Sequence, residues 1–399
     1  MPSYPKNYPF YNWMPKPLGI IILLFFFLPI LTVGGVYSVN STEMMSGLGI
    51  ISEHIQFANF VTSIGMAAFA PFLYELVCVR REKMMCIVGF ALMYIFSYIC
   101  AKTDSVFLLA LCSLLTGFLR MVLMMVNLFT LIWYAGGMEA TRNITPGLEP
   151  KDAAGWNKLD IERCVSQPAV YLFFMILGQS GTALTAWLSF EYEWKYVYYF
   201  MMGILLVSIL LLFITMPNYK FPGRFPINFR KFGNVTAFCI SLTCLTYVLV
   251  YGKVLDWYAD ESIRWATAVS ILFAGVFLYM DARRRSPYVL LDAFKLRTIR
   301  MGALLYLLLM VINSSAMFVN VFAGVGMHID NLQNAALGNW CMVGYAIGAV
   351  LAMALGSKGL HFKYLFAMGF FFLSLSAVFM YFEVQTAGVY ERLKYAVII

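Results

Sequence analysis

Apolar residues run through this chain in long stretches that short polar segments separate. Each stretch is close to the ~20 residues that an α-helix needs to cross a hydrocarbon core of about 30 Å. Transmembrane β-strands would instead alternate apolar and polar positions over about ten residues. The pattern therefore predicts an all-α polytopic membrane protein with about eleven transmembrane helices, at 18-38, 51-77, 85-101, 105-133, 168-189, 196-216, 234-254, 263-281, 301-323, 334-356 and 364-382.

Basic residues are distributed unevenly among the polar segments. If the N-terminus lies in the cytoplasm, cytoplasmic segments hold 21 of the 28 Lys and Arg residues and outer segments hold six. Cytoplasmic loops of membrane proteins carry an excess of Lys and Arg, and this bias sets the orientation. The count predicts a cytoplasmic N-terminus and a multi-pass protein of the cell's inner (cytoplasmic) membrane. It also explains the net charge of +8 without nucleic-acid binding.

Composition excludes several classes of function. The chain is 62% hydrophobic and 12% charged, whereas about a quarter of the residues of a soluble domain are charged. Its eight cysteines and three histidines are scattered, without the spacing of a metal site. No GxxxxGK[ST] phosphate-binding loop occurs. We therefore expect no metal, no cofactor and no catalytic residues.

A single full charge, Arg120, interrupts the fourth apolar span. Ser113, Arg120 and Asn127 are seven residues apart, which is about two helical turns, so they share one face with Thr116 beside them. Polar side chains on such a face point to the bundle interior or to a water-filled cavity. We interpret the four residues as lining a substrate cavity. The alternative is that Arg120 binds backbone carbonyls or extends its long side chain toward the membrane surface. Its guanidinium stays protonated and cannot carry a coupling proton, but it can bind an anionic group.

Other polar candidates lie in or beside the apolar spans. Asn313 and Asn320 place amides on the ninth span, either as cavity groups or as contacts between helices. Glu43, Glu53 and His54 cluster at the outer ends of the first two spans, and a histidine titrates near neutral pH. We take these three as candidates for proton coupling. The alternative for each is a solvated residue at the membrane interface.

The segment at 177-203, LGQSGTALTAWLSFEYEWKYVYYFMMG, spaces Gly181, Trp187 and Trp194 along one helix and the turn that follows it. It resembles the fifth-helix antiporter motif of the major facilitator superfamily, in the fourteen-helix drug/proton antiporter branch. The small residues of that motif let helix backbones approach closely. The resemblance implies a role in gating for these three positions.

A second segment, at 251-302, is similar to the same branch over about fifty residues. The family pattern is a glycine, an Asp-Trp-aromatic triplet, an apolar helix and a Pro-Leu-Leu-Asp loop with basic residues. The residues that fit it in order are Gly252, Asp256, Trp257, Tyr258, Ile263, Pro287, Leu291, Asp292, Phe294, Lys295 and Arg297. The loop between the second and third spans resembles a further gating motif of the superfamily through Glu75, Arg80 and Arg81.

The resemblance implies a domain organisation. We expect an N-terminal six-helix bundle at 1-216, a cytoplasmic basic linker at 217-233, two extra central helices with a cytoplasmic loop at 234-300, and a C-terminal bundle at 301-399. Eleven spans are three fewer than the fourteen of the branch. The C-terminal bundle is therefore expected to be incomplete, with three helices, in a C-terminally truncated chain.

The resemblance also implies a function, namely proton-coupled export of amphipathic, drug-like small molecules by alternating access. Its partners would be the substrate, protons and the lipid bilayer. In Gram-negative relatives they also include a periplasmic adaptor protein and an outer-membrane channel. Two alternatives remain open. One is an organic-anion carrier with Arg120 as the counter-charge. The other is a membrane-embedded enzyme acting on lipid-linked substrates.

Overall fold

Helices dominate the computed structural model, which describes residues 9–33, 44, 45, 47, 49–72, 82–103, 105–142, 158–218, 230–283, 294–314, 331–358, 362–385, 394, 395, 397 and 398. No strand occurs within these residues. Their α-helices are α1 (Lys16–Thr32), α2 (Ser52–Ala68), α3 (Glu82–Lys102), α4 (Val106–Arg142), α5 (Lys158–Glu191), α6 (Trp194–Thr215), α7 (Arg230–Tyr251), α8 (Glu261–Ala282), α9 (Arg297–Ser314), α10 (Asn331–Ser357) and α11 (Phe362–Gln385).

The described helices coincide one for one with the predicted apolar spans. Nine of them, α2 to α8 together with α10 and α11, are long and apolar enough to cross a membrane. The helix α1 is equally apolar but has 17 residues. The chain is therefore an all-α, multi-pass membrane protein, as the pattern predicted. Both α4 and α5 extend beyond their apolar spans into the polar segment between them, because hydropathy records where lipid ends and not where helical hydrogen bonding ends.

Two compact units are present. The first comprises Met1–Ala135 and Tyr192–Val311, and the second comprises Gly136–Glu191 and Ile312–Ile399. Each unit is thus formed from two separate parts of the chain. The domain boundaries expected from the family resemblance stay a prediction.

In the first unit, α4 contacts α1, α2 and α3. Against α3, Leu123 packs where a side chain on Gly89 would lie, and about two turns away Thr130 contacts Glu82. The two pairs are displaced by seven residues in opposite directions, so α3 and α4 are antiparallel. Elsewhere in the unit α3 packs against α6, and α7 packs against both α2 and α8.

Two glycines form the contact between α2 and α4. A Cβ atom on Gly65 would collide with the main chain of α4 at Leu114, and one on Gly117 would collide with the main chain of α2 at Thr62. The two backbones therefore touch directly. Membrane helices use small residues in this way because dispersion contacts replace the missing hydrophobic driving force.

Polar pairs join α7 to α8. The hydroxyl of Ser241 donates to the Ser270 carbonyl oxygen at 3.0 Å, and the Ser270 hydroxyl donates back to the Ser241 carbonyl at 2.9 Å. Two turns away, the amide of buried Asn234 donates to Oδ1 of buried Asp281 at 3.0 Å. These pairs hold the two helices as an antiparallel hairpin.

The second unit is built on α5 and α10, which pack along each other. The side chain of Gln179 fills the space next to Gly338, and α11 adds a smaller contact with α10. The C-terminal residues also lie on α10. Nζ of Lys394 is 5.4 Å from the Trp340 ring centre, and the Ile398 main chain occupies the position next to Gly344.

The glycine contact yields a first prediction. Substituting Gly65→Ala or Gly117→Ala forces α2 and α4 apart, and overpacking of this kind destabilises by about 1–3 kcal/mol. The melting temperature in detergent is therefore expected to fall. Gly203→Ala on α6 is the matched control, because no atom lies within 4 Å of its added Cβ. An unchanged melting temperature in both α2 and α4 variants would contradict the backbone contact.

A second prediction concerns the start of α8, where Asp260 is the N-cap. Its Oδ1 accepts bonds from the Ser262 hydroxyl at 2.5 Å and the Ser262 backbone N–H at 2.7 Å. These bonds lower the pKa of Asp260. A carboxyl with a lowered folded-state pKa stabilises above its unfolded value of about 3.9, and this contribution is lost as pH falls through the folded pKa. Asp260→Ala should therefore lower the melting temperature at neutral pH, with a deficit that shrinks in acid. A deficit independent of pH would show that the charge does not matter.

Candidate functional site

The four polar residues predicted to share a face of α4 lie in the interior of the first unit. Ser113, Thr116 and Asn127 are buried, with 0%, 1% and 3% of their surface exposed, and Arg120 is partly buried. Apolar residues of the same helix, such as Leu123 and Val126, are buried as well. The helix therefore presents a polar stripe to its neighbours, and a cavity along this stripe stays a prediction.

Arg120 binds the C-terminal end of α1. Its Nη2 donates to the carbonyl oxygen of Leu31. The last four carbonyls of a helix have no partner within it, and together they form the negative end of the helix dipole. The Val33 amide satisfies the Pro29 carbonyl at 2.9 Å, and Arg120 satisfies the Leu31 carbonyl from another helix. The guanidinium thus neutralises a helix end.

This helix end lies deep along α4. At about 1.5 Å per residue, Arg120 is about 21 Å from Val106 and about 18 Å from Ile132, the two ends of the apolar span of α4. The final turn of α1 is therefore level with the middle of that span. Pro29 lies in this turn, and Gly34 and Gly35 follow it in the sequence. An apolar environment supplies no water to a helix end, so the carbonyl needs a donor from the protein.

Asn127 makes a second bond from α4 to the backbone of α1. Its Nδ2 donates to the Leu23 carbonyl oxygen at 3.0 Å. Leu23 and Leu31 are eight residues apart, and Asn127 and Arg120 are seven apart in the opposite direction. Helices α1 and α4 are therefore antiparallel, and Asn127 and Arg120 hold α1 at two levels.

The C-terminal end of the stripe meets a carboxylate that sequence reasoning missed. Thr130 Oγ1 contacts Oε1 of Glu82, the first residue of α3, and lies 2.8 Å from the Val126 carbonyl. A hydroxyl has one hydrogen. It donates to Glu82 when that acid is ionised, and it accepts from Glu82 and donates to Val126 when the acid is protonated. The only sequence signal was the position of Glu82 just ahead of an apolar run.

Ser113 and Thr116 have no hydrogen-bond partner for their buried hydroxyls. A buried polar group left without a partner costs about 1–3 kcal/mol. Elsewhere in the described helices, hydroxyls donate to the carbonyl four residues earlier, as do Thr32, Thr62, Thr130, Ser180, Thr182, Ser208, Thr215, Thr236, Thr267 and Ser374. The hydroxyls of Ser113 and Thr116 do not form this local bond.

The predicted coupling candidates Glu53 and His54 lie where α2 meets α7, away from the stripe. Nδ1 of His54 is 2.6 Å from the hydroxyl oxygen of Tyr251, and the Ser52 hydroxyl donates to Oε2 of Glu53 at 2.9 Å. Phe57 packs edge-on against the Tyr251 ring. Sequence reasoning did not find Tyr251, because its pairing with His54 depends on the packing of two distant helices.

The motif residues of the fifth span are divided between two helices. Gly181 is buried on α5, and Trp187, also on α5, is 46% exposed. Trp194 is buried at the start of α6, where its ring lies edge-on to Tyr198 and its indole nitrogen lies against Gly47. The gating role stays a prediction for all three residues.

Several predicted site residues lie outside the described part of the chain, namely Glu43, Glu75, Arg80, Arg81 and Asn320. The backbone of Asn313 belongs to α9, but its side chain is also outside the described atoms. Their proposed functions stay predictions.

The bond from Arg120 to Leu31 yields a third prediction. Arg120→Met leaves the Leu31 carbonyl without this donor, so the last turn of α1 should open more often. Backbone amides at the end of α1 should exchange with deuterium about ten-fold faster or more, since a hydrogen bond to a charged group contributes about 1.5–3 kcal/mol. Arg120→Lys keeps a cationic donor and is the control. Equal protection in Arg120→Met and the wild type would exclude the capping role.

Comparisons with known proteins give no assignment, since no family model and no curated protein matches this chain.

Proposed function

We propose that this protein is a secondary active transporter that exports amphipathic, drug-like small molecules by alternating access, driven by the proton gradient. Rigid-body rocking of helix bundles around a site near the bilayer midplane is the general mechanism of such carriers. Arg120 would contact the substrate or a gate, and the stripe of Ser113, Thr116 and Asn127 would line its path. The chain is not proposed to be an enzyme.

One observation carries the proposal, the arginine in the middle of an apolar span that binds a helix end at the same depth. A charge at this depth is costly, and intramembrane charges usually mark substrate or ion pathways. Transporter sites are typically formed where helices are interrupted near the midplane, because the exposed backbone groups bind ligands there. The residues at 177-203 and 251-302 that resemble drug/proton antiporters support the same proposal.

Proton coupling needs a group that titrates, which Arg120 is not. We propose Glu82 as a candidate in addition to Glu43, Glu53 and His54. Glu82 contacts Thr130 at one end of the stripe, and the Thr130 hydroxyl can serve either protonation state of the acid. In the proposed orientation, with a cytoplasmic N-terminus in the inner membrane, this end faces the cytoplasm.

A second candidate function, an organic-anion carrier, is favoured by a specific observation. Arg120 is the only charged residue between Val106 and Ile132 of α4, so this apolar span carries one positive charge and no negative charge. A positive charge in an apolar span attracts an anionic group on a substrate.

The fourth prediction tests transport. Cells that express the chain should export ethidium or fluorescein, and a protonophore should stop this export. Arg120→Ala should reduce export by about ten-fold or more, because a charged hydrogen bond contributes about 1.5–3 kcal/mol. Glu82→Gln should retain export down a concentration gradient and lose the response to the protonophore.

Gly203→Ala is the control for expression and folding, because its added Cβ meets no atom within 4 Å. Export of both dyes that continues at the wild-type rate after the proton gradient collapses would rule out proton coupling. Export of neither dye above that of cells without the chain would count against drug export.

A further inference from the structure

We infer that Ser113, Thr116 and Arg120 form a binding site for the anionic group of an amphipathic organic substrate, such as a carboxylate or sulfonate. The inference rests on the proposed transport function and names the substrate class for it.

The first argument comes from the two hydroxyls. Ser113 and Thr116 are 0% and 1% exposed, and their oxygens have no partner. Helical serines and threonines at ten other described positions donate to the carbonyl one turn earlier, Thr62 and Thr130 among them. The buried hydroxyls of Ser97 and Ser189 also lack a partner, but they lie on different helices, whereas Ser113 and Thr116 form a pair one turn apart on α4. A ligand with acceptor oxygens would satisfy both.

The second argument is the placement of Arg120 relative to these hydroxyls. Thr116 precedes Arg120 by about one turn and Ser113 precedes it by about two, so the three lie within about 60° around the helix axis. Long side chains in helices lean toward the N-terminus and lie over the preceding turn. The guanidinium of Arg120 would extend toward Thr116 when it is released from Leu31, and the hydroxyl and N–H donors share one face of α4.

The third argument concerns the position of α1. Asn127 bonds to Leu23 and Arg120 bonds to Leu31, so residues further along α1 lie level with earlier residues of α4. The described bonds from this face of α4 to α1 are thus those of Arg120 and Asn127, and the hydroxyls of Ser113 and Thr116 make no such bond.

Charge decides between an anion and a cation. Among the described residues of the four N-terminal helices, the acidic ones are Glu53, Glu82 and Glu139. Glu139 is 19 residues from Arg120 along α4, beyond the end of the apolar span at Ile132. Glu82 contacts Thr130, about 15 Å from Arg120 along α4. Glu53 accepts a hydrogen bond from the Ser52 hydroxyl in the first turn of α2, at the end of that span opposite to Phe72. Arg120 is therefore the one charged residue of α4 between Val106 and Ile132, and its guanidinium together with the two hydroxyls supplies donors that suit a negatively charged acceptor.

The site is closed in this conformation, because the hydroxyl oxygens have almost no exposed surface. A ligand therefore enters in a different conformation of the transporter, in which the end of α1 has moved away from α4. The anion and the Leu31 carbonyl are acceptors for the same guanidinium. Binding of the anion would favour release of the α1 end and so couple occupancy to conformation.

The test uses two dyes with similar fused-ring systems and opposite charge, anionic fluorescein and cationic rhodamine 123. Purified full-length protein in phosphatidylcholine nanodiscs should bind fluorescein more tightly, as measured by fluorescence anisotropy. Thr116→Val and Ser113→Ala should each weaken fluorescein binding by about ten-fold, the usual effect of losing a hydrogen bond to a charged group. Neither should change rhodamine 123 binding, and Thr116→Ser should bind like the wild type.

The melting temperature of the same variants distinguishes a loss of binding from a loss of folding. Replacing an unpartnered buried hydroxyl by an apolar group of similar shape is neutral or stabilising. Thr116→Val and Ser113→Ala should therefore keep or raise the melting temperature while they lose affinity for the anion. Ser208→Ala is the matched control, since Ser208 is equally buried but donates to the Ile204 carbonyl at 2.9 Å.

Three results would overturn the inference: equal affinity for the two dyes, equal loss of both in the variants, or complete displacement of fluorescein by inorganic phosphate alone. The last would assign the site to a small inorganic anion. Transport is measured separately in vesicles with the same dyes. If fluorescein binds with the expected pattern but no dye is moved, the transport function fails and the site stands. If both dyes are moved equally and the variants have no effect, the site fails and transport stands.

Discussion

A backbone carbonyl at the end of a membrane helix needs a hydrogen-bond donor, because no water reaches it in the hydrocarbon region. Cationic side chains from other helices bind carbonyls at helix ends at three described positions, one level with the middle of an apolar span and two at the ends of spans. Arg120 of α4 binds Leu31 at the end of α1, and Nζ of Lys83 binds Met216 at the end of α6 at 2.6 Å. Lys231 of α7 binds Pro71 just after α2 at 3.3 Å. The helices joined by the lysines, α3 with α6 and α7 with α2, also pack along each other. Helix ends and helix packing in the first unit are therefore set by the same residues.

The fourth helix combines two requirements that are difficult to meet together. Gly117 brings its backbone into contact with α2, whereas Arg120 and Asn127 hold α1 through hydrogen bonds. The first contact needs no side chain, and the second needs long or polar ones. Spacing them around the helix lets α4 contact three neighbours. It leaves Ser113 and Thr116 between these contacts, which explains how two buried hydroxyls on one helix remain without a partner.

Much of the fold could be predicted from the sequence, since apolar runs of membrane length specify helices whatever their neighbours. The shared face of Ser113, Arg120 and Asn127 followed from the helical period. The end of α1 could not be predicted, because the apolar run continues past Val33 and hydropathy does not record where hydrogen bonding stops. The sequence left open whether Arg120 binds a substrate group or a backbone carbonyl, since every residue carries a carbonyl. Glu82 and Tyr251 were missed because each joins the site only through a neighbouring helix.

The hairpin of α7 and α8 has a consequence for biosynthesis. Ser241 and Ser270 satisfy each other, and Asn234 donates to Asp281 across the same interface. Alone in lipid, either helix would expose these groups without their partners, at a cost that falls most heavily on the carboxyl of Asp281. The two helices are therefore favoured to enter the bilayer together, as a preassembled pair leaving the translocon. The short connection between them, which contains the turn at Trp257–Ala259 and the cap at Asp260, suits such paired insertion.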